Sequence, residues 1–453
     1  MNRFLPLLLI AAAALAEVRL PPYTRQVLSN GIVIDIMPRR EVPLVTVRIA
    51  IKGGLESDPP DQAGLSGITA EMLRRGTTER TADQFSQELD SLGATYQADT
   101  DLQSTNIEAE FLAKDLDTGL DIVFDSLLRP IFPEIELKKV LAQRIDGAKA
   151  LKDNPGAAVG AYYNSFAFGS KHPYGRPADE LSLARIQRQH VLDYHKRMYA
   201  ARNMIVVLAG DVDAPAVSKK LASLLGAVPP GAQYAWKKPE QTAASGIRVA
   251  IVDKPDATQT RFLVGMPGIT RTHPDRVPLW IVNTLFGGRF TSILNDELRV
   301  NTGLTYGAQS RLDTNRMPGL ISISTFTRTE TTGKALDLAV DLLKRFRNKG
   351  ITAEQLASSK AYLKGTYPSE HLETPEQLAS VLTEIELYDL NRNEVDDLYS
   401  RIDSVTLEQA NTAIRKHYSP ENLTFLLLGN ATQFREHLQK YSDNVLVVPI
   451  TKP

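Results

Sequence analysis

The sequence contains no cysteine. Disulfide staples, thiol nucleophiles and cysteine-ligated zinc are therefore excluded from its chemistry. An excess of either charge is missing as well: 52 Lys and Arg face 53 Asp and Glu, a net charge of −1. With no basic surplus to neutralise phosphates, neither a nucleic-acid partner nor an anionic membrane surface is expected. After the first 16 residues no run is long and apolar enough to cross a bilayer, so no stable membrane insertion is expected. What remains is an ordinary globular balance, 43% hydrophobic and 23% charged over 453 residues, enough chain for more than one core.

The N-terminus has its own pattern. Arg3 precedes an apolar stretch from Phe4 to Leu15, and Ala14-Leu15-Ala16 is a small-x-small cleavage site before Glu17. This reads as a signal peptide over residues 1–16, and the product is expected to be exported, to the periplasm of a Gram-negative cell. Without a cysteine after the apolar run, lipid anchoring is excluded.

Along the rest of the chain, Asn30-Gly31 signals a hairpin turn before a strand at Ile32–Met37. Val45, Val47, Ile49 and Ile51 alternate with Thr46, Arg48, Ala50 and Lys52, the period of a half-buried strand. Helical patterns fit residues 65–75, 82–92, 114–128 and 134–151, and strands fit 105–111 and 204–210. The stretch 229–246, rich in Pro, Gly and Ala, reads as a linker. Beyond it the same programme restarts, with strands at 247–252, 261–265 and 320–326 and helices at 278–286, 292–299, 332–349 and 353–367. Both halves end alike: Tyr199, Asn203 and Gly210 match Tyr418, Asn422 and Gly429 at one constant offset. A duplicated domain follows from this repeat, with 17–228 and 247–446 as its two copies. The expected fold is α+β: two homologous α/β-sandwich lobes, each a mixed or antiparallel sheet flanked by helices, forming a clamshell with a central cleft.

One segment carries a chemical signature with its chemistry removed. Gly64-Leu65-Ser66-Gly67-Ile68-Thr69-Ala70-Glu71-Met72-Leu73-Arg74-Arg75-Gly76-Thr77 resembles the active-site helix of the insulinase/pitrilysin-type metallopeptidases, the inverzincins, to which mitochondrial processing peptidase belongs. Their motif H-x-x-E-H sets two histidines four apart on one helical face, where both bind zinc beside a glutamate base. Here the histidine positions hold Gly67 and Glu71, and the base position holds Ala70. The family's third ligand, a glutamate on a later helix, matches Gln143 and Arg144. The seven histidines offer no replacement: His190 and His195 fall on different helical faces, and His172, His273, His371, His417 and His437 are scattered, so each reads as a surface or packing residue. No metal and no catalytic residue is expected in this chain.

The second half keeps its family element. Gly287 to Leu298 and then Arg299-Val300-Asn301-Thr302-Gly303-Leu304-Thr305-Tyr306 resemble the family's R-x-x-x-G-L-x-Y segment, whose arginine and tyrosine reach a substrate held at the metal. Arg299 brings a permanent cation with a donor fork, and Tyr306 a phenolic donor. A local role is open to both, since a cation is favoured at a helix C-terminus and a tyrosine can pack at a strand start. The resemblance implies a zinc-less subunit of a heterodimeric exported metallopeptidase, with Arg299 and Tyr306 binding substrate and zinc held by a homologous partner subunit. Unfolded peptides are the expected substrates, and peptidase activity is expected only with that partner. The alternative is an inactive scaffold or peptide-binding protein of the same fold.

Overall fold

The computed structural model describes residues 17–236, 238 and 246–450; the expected signal peptide and part of the expected linker, 237 and 239–245, lie outside them. Two sheets organise the chain. The first contains β1 (Thr24–Val27), β2 (Val33–Pro38), β3 (Leu44–Lys52), β4 (Thr95–Thr100), β5 (Ser104–Leu112) and β6 (Met204–Gly210), in the order β1-β2-β6-β3-β5-β4. The second contains β7 (Arg248–Asp253), β8 (Gln259–Pro267), β9 (Ile269–Thr270), β10 (Ala308–Asn315), β11 (Pro318–Arg328), β12 (Thr424–Gly429) and β13 (Val445–Pro449), in the order β13-β7-β12-β8-β11-β10-β9.

The repeat read from the sequence is a repeat of topology. β6 runs parallel to β2 and antiparallel to β3, and β5 joins β3 to β4 by antiparallel pairing. In the same way β12 runs parallel to β7 and antiparallel to β8, and β11 joins β8 to β10. Asn203 and Asn422 hold corresponding corners: their side-chain oxygens accept the backbone N–H of Tyr234 and Gly246 at 2.7 and 3.0 Å. Tyr199 and Tyr418 are buried beneath these corners. The hairpin at Asn30-Gly31 is present, with Gly31 at φ +101°, a conformation glycine adopts without a Cβ clash.

β3 corrects the sequence reading. Val45, Val47, Ile49 and Ile51 are buried as expected, but Thr46 and Ala50 on the opposite face are equally inaccessible. The cover comes from the other half of the chain, where the helix Pro375–Leu387 packs across β3 and β6. The exchange is mutual. The helix Pro155–Phe168, from the first half, lies on β8 and β12 of the second sheet. There Ala158, Tyr162 and Tyr163 form one apolar cluster with Ala250, Val252, Leu426 and Leu428. At Gly265 the Tyr163 hydroxyl occupies the space that a Cβ would need. Met37, Ala50, Ile205 and Val207 likewise join the core of the second half.

Polar contacts complete the joint. Arg25 of β1 makes a two-pronged ion pair with Glu386 at 2.6 and 3.0 Å. The Gln103 side-chain oxygen accepts from the Tyr388 hydroxyl at 2.5 Å and the Arg316 N–H at 3.2 Å. The Arg316 guanidinium lies 4.3 Å above the Trp236 ring. The halves are thus interlocked through a shared core.

Candidate functional site

The signature helix, Leu65–Met72, begins at Gly64 (φ +98°). Its first free N–H groups are captured by a carboxylate: Asp58 accepts from Gly64 and Ser66 at 2.7 and 2.8 Å. Burial pushes the Asp58 carboxyl up to about 6, against the lowering effect of those two donors. Leu65, Ile68 and Met72 enter the first core. This seating depends on the frame residues and needs none of the metal ligands, so the helix keeps its place without them.

The degenerate positions lie on two helices that pack against each other. Gly67 has no atom within 4 Å of where its Cβ would stand, and Ala70 is fully buried. Glu71 faces the helix Glu134–Leu151, where Gln143 and Arg144 are exposed. Arg144 Nε donates to Glu71 Oε2 at 2.7 Å, and Arg75 Nη2 donates to Oε1 at 3.2 Å. A dication does not fit here. Gly67 and Ala70 bring no donor atom, and both oxygens of the one carboxylate are engaged by guanidinium groups, which would repel a second cation. The ion pair joins the two helices that a metal would otherwise join. Beside it, β4 pairs only with β5, so among the described residues its outer edge is open.

Two of the scattered histidines do meet. His273, Asp275 and His417 place one potential ligand atom each within 4.8 Å of one another. The sequence separates His273 from His417 by most of the second half, so no spacing rule could join them. Their atoms are already committed. His273 Nδ1 accepts the Asp275 N–H at 3.0 Å, while Asp275 Oδ2 holds both His417 Nε2 and Lys416 Nζ at 2.7 Å. His195 is a packing residue: it stacks on Tyr199, and burial lowers its pKa to about 4.

Arg299 and Tyr306 line one concavity of about 450 Å³. Both helices that carry its wall depart from regular geometry: 284–288 and 296–301 are π-helical turns, a distortion common at functional sites. Gly287 sits so close to β10 at Ser310 that a side chain has no room. Asn283 and Asn295 tie these turns to β10, through Ser310 O (3.0 Å) and the Ala308 N–H (3.3 Å). Gly303 (φ +61°) then reverses the chain. Thr325 and Thr327 of β11 donate to Gly307 O and Leu304 O at 2.8 and 2.6 Å, pinning the loop that presents Tyr306. Tyr306 is 82% exposed. The two side chains share the pocket without stacking on each other: Arg299 lies 4.6 Å over Phe290, and Tyr306 lies beside Phe326 with ring centroids 6.3 Å apart. Phe290, Phe326, Arg261 and Arg289 belong to the same wall and were not singled out from the sequence.

Two family models match this chain in order. "Insulinase (Peptidase family M16)" covers residues 37–172, and "Peptidase M16 inactive domain" covers 185–363. The chain belongs to the M16 peptidase family. Among curated relatives, an uncharacterized zinc protease of Mycobacterium leprae is 26% identical over 85% of this chain and 87% of its own length. A Helicobacter pylori protein named non-peptidase homolog YmxG is 25% identical, over 86% of this chain and 90% of its own length. Two crystal structures share the fold. One, described as a peptidase M16 inactive domain from Pseudomonas fluorescens, superposes with a TM-score of 0.84 at 22% identity, covering 94% of this chain and 99% of that one. The other, a protease from Helicobacter pylori, gives 0.83 at 18% identity, covering 90% and 100%. This M16 chain therefore carries the family's scaffold with a signature helix that lacks the metal ligands.

Proposed function

We propose that this chain is the zinc-less subunit of an exported heterodimeric M16 metallopeptidase acting on unfolded peptides. The observation that carries this reading is an asymmetry between two sites. The metal positions are closed by the Arg144–Glu71–Arg75 contacts, whereas Arg299 and Tyr306 stand in an open pocket. A homologous partner with an intact motif would hold the metal and activate water. This chain's part is to place donors. Arg299 and Tyr306 direct N–H and O–H groups at a peptide carbonyl, and such donors strengthen as negative charge develops on that oxygen. The open edge of β4 can extend the backbone of an unfolded peptide by strand addition, which folded proteins cannot supply. Export rests on the pattern of residues 1–16, and the periplasm is the proposed compartment.

The test is hydrolysis of an unstructured fluorogenic peptide by the chain alone, and by its mixture with an H-x-x-E-H-bearing relative from the same genome. Chelator-sensitive activity is expected only in the mixture. Arg299→Ala is expected to lower it about 100- to 1000-fold, the range for loss of an oxyanion donor, with a smaller loss for Tyr306→Phe. A second reading, a proteolytically inactive peptide-binding protein, is favoured by the name of the Helicobacter pylori relative. An inactive mixture and separate elution on a sizing column would select it.

A further inference from the structure

The pocket that holds Arg299 and Tyr306 has an unbalanced charge. Three guanidinium groups, from Arg261, Arg289 and Arg299, line it, and among the described residues no Asp or Glu does. Two other buried arginines of this half are neutralised by contrast: Arg271 pairs with Glu384 and Glu394 at 2.6 and 2.8 Å, and Arg276 pairs with Glu394. In the pocket each guanidinium rests on an aromatic ring instead. Arg261 lies 4.8 Å from the Phe326 centroid, Arg299 4.6 Å from Phe290, and Arg289 5.8 Å from Tyr362. A ring beneath the guanidinium face orients the group and leaves its in-plane N–H donors for a ligand. Among the described residues only Arg289 of the three spends donors on protein oxygens, Nε on Thr291 O at 3.3 Å and Nη1 on Ser358 Oγ at 3.0 Å.

The first half adds to the positive field. The helix Pro155–Phe168 starts beside Arg261, and Gly156 in its first turn leaves the room that the guanidinium fills: a Cβ there would lie 2.8 Å from Arg261 Cζ. A helix N-terminus carries partial positive charge, so its approach to an arginine raises the local potential further. Two rings at the pocket mouth are open to solvent, Phe290 at 68% and Tyr306 at 82% exposure. Clustered cations without counter-charge, beside bared aromatic rings, describe a surface whose missing half is an anionic and partly apolar ligand.

We infer that this pocket selects peptides bearing carboxylates, with Arg261 and Arg289 as the residues that set the preference. The inference rests on the peptide-binding role proposed for Arg299 and Tyr306, and it names the class of peptide. The carboxylates come from Asp and Glu side chains or from a free C-terminus, since both present the planar acceptor that a guanidinium fork engages.

The test uses fluorescence anisotropy on the full mature chain with four unstructured peptides of equal length: an Asp/Glu-rich peptide, the same peptide amidated at its C-terminus, its Asn/Gln counterpart with a free C-terminus, and that counterpart amidated. The carboxylate-bearing peptides are expected to bind at least about 10-fold more tightly than the amidated Asn/Gln peptide at 50 mM salt, with the gap narrowing at 500 mM. If amidation alone removes the advantage, the C-terminal carboxylate is the source; if only the Asn/Gln exchange removes it, the side chains are. Arg261→Gln and Arg289→Gln are each expected to reduce the acidic-to-neutral affinity ratio several-fold, a readout that simple misfolding would not produce because it would weaken both peptides. Equal affinity for all four peptides overturns the carboxylate preference and leaves peptide binding standing. Binding of none overturns both.

Discussion

At the scale of single residues, Glu71 shows how a carboxylate is accommodated where the family motif has a histidine. It is mostly buried, and its charge is met by Arg75 one turn along and Arg144 across the helix interface. Arg144 is more than half exposed, so the pair is screened by solvent and its worth is small. Arg144→Glu is expected to cost about 0.5–1 kcal/mol in urea unfolding, through replacement of attraction by repulsion. Asp35 poses the opposite problem. It is 1% exposed, its Oδ1 has no hydrogen-bond partner, and burial with the nearby Glu386 pushes its carboxyl up to about 7. A carboxyl raised in the folded state contributes its full share of stability at low pH, and that share is lost as pH rises from the ordinary carboxylate range through about 7. Asp35→Asn removes the ionisation. The variant is therefore expected to be more stable than the parent at pH 8, by about 1–3 kcal/mol, with the advantage shrinking toward pH 5. Melting both proteins at the two pH values checks the sign. An advantage that grows on acidification would show that the carboxylate is stabilised in the fold.

At the scale of elements, the exchanged helices make the sharpest demand on sequence. Tyr163, on the helix Pro155–Phe168, is buried with an unpartnered hydroxyl against Gly265 of β8. Gly265→Ala is expected to cost about 1–3 kcal/mol, because the new methyl group needs the space the hydroxyl fills. Tyr163→Phe deletes that hydroxyl but leaves the ring carbon 2.7 Å from the new Cβ, so the double variant is expected to regain part of the loss. Independent, additive effects in a double-mutant cycle would place this helix elsewhere. These elements also mark where the sequence was legible. β3, the helices at 82–92, 134–151 and 332–349, and the paired corner at Asn203 and Asn422 could all be read because their periodicity or spacing is local. The helices at 155–168 and 375–387 were not, because the sheets they cover belong to the opposite half. The second face of β3 was misjudged for the same reason, since its alternating pattern marks one face as covered and gives no sign of the helix that covers Thr46 and Ala50. In the pocket, the fragment 299–306 pointed to Arg299 and Tyr306. Arg261 and Phe326 come from strands 65 positions apart in sequence, and only the β8–β11 register sets them side by side.

At the scale of the whole molecule, duplication and exchange pull in different directions. A duplicated chain suggests two units that could unfold separately, each with its own sheet. Here each sheet is covered on one face by a helix from the other half, and the second core takes in Met37, Ala50, Ile205 and Val207 from the first. Unfolding either half uncovers part of the other half's sheet, so the loss of one removes much of the burial that stabilises its neighbour. The two tryptophans are placed to report on this. Trp236 lies at the joint beneath Arg316, and Trp280 lies in the second half against Tyr367. Trp236→Phe and Trp280→Phe each leave one emitter. In urea, both single-tryptophan proteins are expected to unfold with one midpoint, coincident with that from far-UV circular dichroism. A Trp236 signal that changes well before the Trp280 signal would mean that the joint opens while the second half stays folded. The exchanged helices would then act as a latch between separable lobes.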